Sequence, residues 1–165
     1  MTPDPDPPPL DHRHFLPDAS ASEWATVLEY CERRPLHPDQ SLYTPGDHYR
    51  LLEDRCLAFL VSGSVHLRVF GRDEPVRLLS PAVLGRGVFF TGELLFYRGV
   101  TVAEECECLV LSTAAFHRLA EAHPQLAIAL AMEMGSEMAL TVMSQFDRGT
   151  RQGRAVWEDP QAQPS

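Results

Sequence analysis

The sequence has no apolar run approaching the ~20 residues that a helix needs to cross a bilayer. Its acidic, proline-rich N-terminus lacks the apolar central segment of a signal peptide. A basic surplus is missing too: 14 Lys and Arg stand against 23 Asp and Glu, a net charge of -9. Nucleic-acid surfaces need clustered cations to displace counterions, and anionic membrane faces repel excess carboxylates. The expectation is a soluble, cytoplasmic protein without direct nucleic-acid contact or membrane insertion. Cys31, Cys56, Cys106 and Cys108 include no CxxC pair, so no structural zinc site is expected, and they read as small apolar residues in a reducing compartment. No Ser-His-Asp or paired-carboxylate arrangement can be argued from the spacing. The chain reads as a non-enzyme.

What is present suffices for one domain with a genuine core, since 44% of the 165 residues are hydrophobic. Residues 1–19 read as a Pro/Asp-rich flexible arm, in which His12 and His14 sit two apart without the rigidity a metal site needs. Ser20 or Ser22 can cap a helix with Glu23 in its first turn and Trp24, Val27, Leu28 and Cys31 on one stripe. Arg33 and Arg34 suit the negative end of that helix, and Pro35 stops it.

From about residue 35 the period becomes that of strands. Ser41 to Asp47 reads as a short strand and a Pro45-Gly46-Asp47 turn. Cys56 to Val61 is a solid apolar run, hence a buried strand, and Ser62-Gly63-Ser64 is a tight connection. Val65, Leu67 and Val69 alternate with His66, Arg68 and Phe70 as a half-buried strand. Gly71 to Pro75 forms a hairpin loop before a strand at Val76 to Leu79, and Val100 to Glu104 and Cys106 to Leu111 supply two more. Short strands at this spacing over about 35–112 imply a sandwich or barrel.

After Ser112 the period turns helical, with helices over 113–147 and a polar tail over 148–165. Ser112 or Thr113 caps a short helix carrying Phe116 and Leu119, and Pro124 opens a long one reaching about Asp147. That helix has two apolar stripes. Ala127, Leu130, Met134 and Met138 form one; Ile128, Met132, Gly135, Ala139, Val142 and Phe146 form the other. A helix apolar on two sides must be covered on two sides, so the second stripe predicts a homodimer.

Within this β region lies the stretch Leu79 to Leu111, with Gly85-Arg86, Gly92-Glu93 and Arg98. It looks like a cradle for a small anion. The strings LYTPGD, LAFLVSGSVHLRV and VAEECECLVLSTAAFHRLAEAHPQL, in this order, resemble the cyclic nucleotide-binding domain family, to which the sensor domains of catabolite activator protein and of the cAMP-dependent kinase regulatory subunits belong. The resemblance covers roughly Cys31 to Phe146. It implies a mainly β fold, an antiparallel jelly-roll with an N-terminal helix and a long C-terminal helix. It also implies cAMP or cGMP as ligand, held by a cassette "G-E-(L/M)-A … R-(S/T)-A". In that cassette the Glu binds the ribose and the Arg binds the phosphate near a helix N-terminus.

This chain departs from that cassette, and three registers are open. One matches Gly92-Glu93-Leu94 to "G-E-L" and makes LLFYRG the cassette helix. A second keeps Glu93 and takes Arg98 to Val102, including Thr101, as the Arg segment, with Glu and Arg only five apart. The third is nearly gapless: Gly85 is the cassette Gly, Arg86 replaces the Glu, Phe89 to Gly92 form the helix and turn, and Phe96 or Tyr97 falls at the Arg position. Losing a charge-assisted bond of about 1.5–3 kcal/mol weakens binding roughly tenfold to hundredfold.

Three functions follow as expectations. The first is a non-catalytic sensor or regulatory module with lost or altered cyclic nucleotide binding, acting through dimerisation or an unidentified protein partner. The second is a cAMP or cGMP receptor using Arg86 or Arg98 in a reshaped cassette. The third, a cupin-type metalloenzyme, needs an H-x-H on a strand, and His66 stands alone. A catabolite-activator-type transcription factor is not expected, because too little chain follows Phe146 for a helix-turn-helix.

Overall fold

The computed structural model describes residues 11–43, 55–92 and 97–157; the side chains at 43, 97, 142 and 145–157 lie outside that description. The turn expected at Pro45-Gly46-Asp47 also lies outside the described residues. Among the described residues eight strands form two antiparallel sheets. The strands are β1 (Glu32–Leu36), β2 (Ser41–Tyr43), β3 (Leu57–Ser62), β4 (Ser64–Val69), β5 (Val76–Leu79), β6 (Ala82–Leu84), β7 (Tyr97–Val102) and β8 (Cys106–Leu111). One sheet has the order β1-β8-β3-β6 and the other β2-β7-β4-β5. Helix α1 (Ala21–Glu29) precedes them, α2 (Arg86–Thr91) interrupts them, and α3 (Thr113–Ala122) and α4 (Pro124–Trp157) follow.

The burial pattern of each strand follows from what covers its faces. In the first sheet β3 is buried on both faces over Leu57 to Leu60, while the edge strand β1 is largely exposed. Ala58, Leu60, Cys106, Cys108 and Val110 point into the layer between the sheets, with Val65, Val100 and Val102 opposite. Leu57, Phe59 and Leu111 point the other way, onto Phe15, Trp24, Leu119, Leu130 and Met134. A strand buried on both faces reads as an unbroken apolar run, which is why Cys56 to Val61 shows no alternation. The second sheet turns one face to solvent, so β4 alternates: Val65 is fully buried while His66 is exposed.

The N-terminal boundary differs from the expected one. Phe15 and Leu16 are 1% and 3% exposed. Phe15 stacks on Trp24 at 5.6 Å between ring centroids and meets Phe59 edge-on at 5.2 Å. Two large apolar side chains therefore seat a segment whose average composition suggests a loose arm. His12 is occupied locally, its Nε2 lying 2.8 Å from the Ala19 carbonyl oxygen.

Helix α1 begins as expected, with a reciprocal capping box between Ser20 and Glu23. These bonds hold the Glu23 carboxyl below its usual range, chiefly through the Ser20 backbone N–H. It ends at Glu29, before the expected terminators. Arg33, Arg34 and Pro35 belong to β1, which pairs with β8 from Glu32↔Val110 to Leu36↔Cys106. The arginines find carboxylates rather than a helix end: Arg33 pairs with Glu107 and Arg34 with Glu32. Pro35 is tolerated because β1 is an edge strand. The roll thus begins at Glu32 rather than near residue 35.

At the other end Ser112 caps α3, its hydroxyl accepting from the Ala115 N–H at 3.1 Å. Helix α4 continues to Trp157, beyond the end expected at Asp147, so the polar tail does not begin at 148. Ala127, Leu130 and Met134 are buried against the first sheet. Among the described residues no helix is long and apolar enough to cross a membrane.

Candidate ligand cassette

Strand β6 pairs with β3 through Ala58↔Leu84, Phe59↔Val83 and Leu60↔Ala82, and so delivers the chain to Gly85. There the backbone takes φ +83°, a left-handed conformation that glycine adopts without a Cβ penalty. The chain enters α2 directly. After six residues Gly92 closes the helix at φ +82°, its N–H donating to the Val88 carbonyl. The buried face is Gly87, Val88 and Phe89. Val88 belongs to the layer between the sheets, whereas Phe89 packs edge-on against Phe116 of α3 at 5.4 Å. The short helix therefore touches both halves of the core.

The helix occupies the segment that the third register assigns. The first register fails at this point: it needs a helix through LLFYRG, and Tyr97 onward is strand β7. Glu93 and Leu94 lie outside the described residues. No acidic residue stands in the first turn of α2. Arg86 opens it, half-buried, with its Nε shut off from solvent.

Arg98 goes elsewhere. Leu67 pairs with Val100 and Arg68 with Gly99, but Val69 pairs with Tyr97, so Arg98 is the extra residue of a β-bulge. A bulge re-aims the side chain it carries. Regular alternation from the buried Val100 and Val102 would send Arg98 inward, yet it is exposed, its guanidinium 5.8 Å from the centre of the Phe70 ring. Thr101 is also on the outer side, paired with the exposed His66. The structure thus brings Gly85, Arg86 and Gly92 together at α2, and separately brings Arg98 and Thr101 together on the outer face of the second sheet.

The arginine that engages the cassette helix escapes sequence reasoning. Arg55, at φ +51°, donates to the carbonyls of Phe89 and Phe90 at 3.4 and 3.2 Å. A cation on the last carbonyls of a helix complements its negative end. Its own carbonyl accepts from the Thr113 hydroxyl at 2.6 Å, tying α2 to the start of α3. Nothing in the local sequence marks it, because its partners are 34 and 35 residues away.

The interior beside α2 is apolar. Ser64 is the only buried polar side chain among the described residues. Its hydroxyl donates to Glu104 at 2.6 Å and accepts from Arg77 Nε at 3.0 Å, and Arg77 also reaches Glu104 at 2.9 Å. The Ser64 hydroxyl and the Arg77 guanidinium hold the Glu104 carboxyl below its usual range. Burial pushes the thiols of Cys31 and Cys108 up to about 12, which leaves them protonated. Among the described residues no group of three or more His, Cys, Asp or Glu is placed to hold a metal ion.

No family model matches the chain, and neither does any curated protein. Solved structures do. A cyclic nucleotide-binding domain from Methylobacillus flagellatus superposes with a TM-score of 0.64 at 18% identity, covering 79% of this chain and 72% of that one. The fold is that of a cyclic nucleotide-binding domain. The N-terminal domain of a Streptomyces coelicolor transcriptional regulator gives a TM-score of 0.60 at 17% identity, over 77% and 89% of the two chains. Catabolite activator protein from Thermus thermophilus gives 0.59 at 20%, over 82% of this chain and 62% of that one. These neighbours of the cyclic nucleotide-binding fold are a binding domain and two regulators.

Proposed function

We propose that this chain is a non-catalytic regulatory module built on the cyclic nucleotide-binding fold, with cyclic nucleotide binding lost or altered, which signals through dimerisation of α4. The carrying observation is the cassette helix. It starts at Gly85-Arg86 with no carboxylate in its first turn, and the arginine that follows it in sequence, Arg98, is turned outward by a bulge. Among the described residues a ribose then lacks a first-turn carboxylate as acceptor and a cyclic phosphate lacks the Arg98 guanidinium, and each missing charge-assisted bond weakens binding roughly tenfold to hundredfold.

Calorimetric titration with cAMP and with cGMP tests this. No saturable heat is expected at micromolar ligand, and micromolar binding of either would overturn the reading. A second reading, a receptor that binds through Arg86, is favoured by that residue's place at the helix start with Nε out of solvent. It predicts binding in the same titration that Arg86→Gln weakens about tenfold or more.

A further inference from the structure

Among the described residues several arginine side chains are spoken for. Arg13, Arg33, Arg34 and Arg77 sit in ion pairs, and Arg55 binds helix carbonyls. Arg68, Arg72 and Arg98, like Arg118, are different. Among the described residues none of them makes a side-chain hydrogen bond or an ion pair, and the one contact recorded is that of Arg98 over Phe70. The first three line one groove of about 490 Å³ on the solvent face of the second sheet. Arg68 comes from β4, Arg72 from the hairpin loop and Arg98 from the bulge of β7. Gly99, opposite Arg68 in the register, has no side chain to fill the space between them.

Three guanidiniums thus reach one groove with no hydrogen bond or ion pair of their own among the described residues. Asp39, Asp73 and Glu74 line the same groove, yet they form no ion pair with the arginines among the described residues. They supply acceptors for donors on a ligand. The Phe70 ring, 56% exposed, offers a flat apolar platform next to Arg98.

We infer that this groove is a second, outward-facing binding site for a small phosphorylated polyol, a sugar phosphate or nucleoside phosphate. The guanidinium forks of Arg68 and Arg98 take the phosphate, since they match its oxygens in pairs. The carboxylates accept from the sugar hydroxyls. The site is independent of the interior of the roll, so it stands whether or not a cyclic nucleotide binds there.

The probes are ribose 5-phosphate, ribose and inorganic phosphate, titrated into the full chain at low salt and followed by amide chemical shifts. The expected result is saturable binding of ribose 5-phosphate, tighter than inorganic phosphate and absent for ribose, with shifts centred on β4, β7 and the hairpin. Arg68→Gln and Arg98→Gln should each weaken it about tenfold, while Arg118→Gln, on the exposed side of α3, should leave it unchanged. The substituted residues are exposed or half-exposed, and unchanged circular dichroism and melting temperature check that the variants are folded. No saturable binding, binding indifferent to both groove variants, or ribose 5-phosphate no tighter than inorganic phosphate would each overturn the inference.

Discussion

Gly63 joins β3 to β4 at φ +78°, and a Cβ there would run into the Glu105 carbonyl oxygen and lie 2.7 Å from the Cys106 sulfur. Both obstacles are part of the β8 approach rather than the end of a flexible side chain. Gly63→Ala is therefore expected to lower stability by about 2 kcal/mol or more, from left-handed strain and steric displacement together. A fall in the urea midpoint at unchanged slope would register it; a shift worth less than about 0.5 kcal/mol would mean the turn yields. At this scale the sequence is informative where a residue answers to its neighbours. Ser62-Gly63-Ser64 is a turn on sight, and Ser20 with Glu23 is a cap on sight. It is silent where a residue answers to distant chain. Arg55 serves Phe89 and Phe90, Glu104 serves Ser64, and Phe15 serves Phe59.

Elements show the same division. The apolar run of β3 and the alternation of β4 are legible because burial on two faces or one leaves a period in the sequence. Strand β1 is not, since arginines that complement a helix end pair equally well with Glu107 across the strands and with Glu32 along β1 itself. The bulge at Arg98 is invisible too, being a matter of register between two strands rather than of either alone. Helix α2 is too short to hold itself in water, and its ends rest on two glycines and on Arg55. Arg55→Gln is expected to cost about 0.5–1 kcal/mol and to speed amide hydrogen exchange selectively within 86–92. If exchange there is unchanged while the rest of the protein is intact, Arg55 does not secure the cassette.

For the whole molecule the decisive surface is the second stripe of α4. Ile128 and Met132 are 52% and 68% exposed, and Leu140 and Met143 continue the apolar surface at 61% and 65%. Val142 and Phe146 have side chains outside the described residues. Nothing lies within 4 Å of where a Gly135 Cβ would stand, which leaves room for a second helix backbone to approach. Under the proposed function the wild-type chain sediments as a dimer. Met132→Glu, which places a charge in the contact, should raise the dissociation constant by about a hundredfold or more while leaving the circular dichroism of the monomer unchanged. A wild-type chain that is monomeric at micromolar concentration would refute dimerisation. The stripes of α4 are legible in sequence because a helix repeats its faces; which protein covers the second stripe is written on the partner as much as on this chain.

The seating of the N-terminal segment has an optical side. Trp24 stacks on Phe15 and meets Phe59 edge-on, with 4% of its surface exposed. The chain's other tryptophan, Trp157, stands at the far end of α4. The indole of Trp24 therefore emits from an apolar pocket only while Phe15 lies against it, and its emission would move to longer wavelength when residues 11–19 lift away. The molecule carries its own fluorescent gauge of whether that segment is docked.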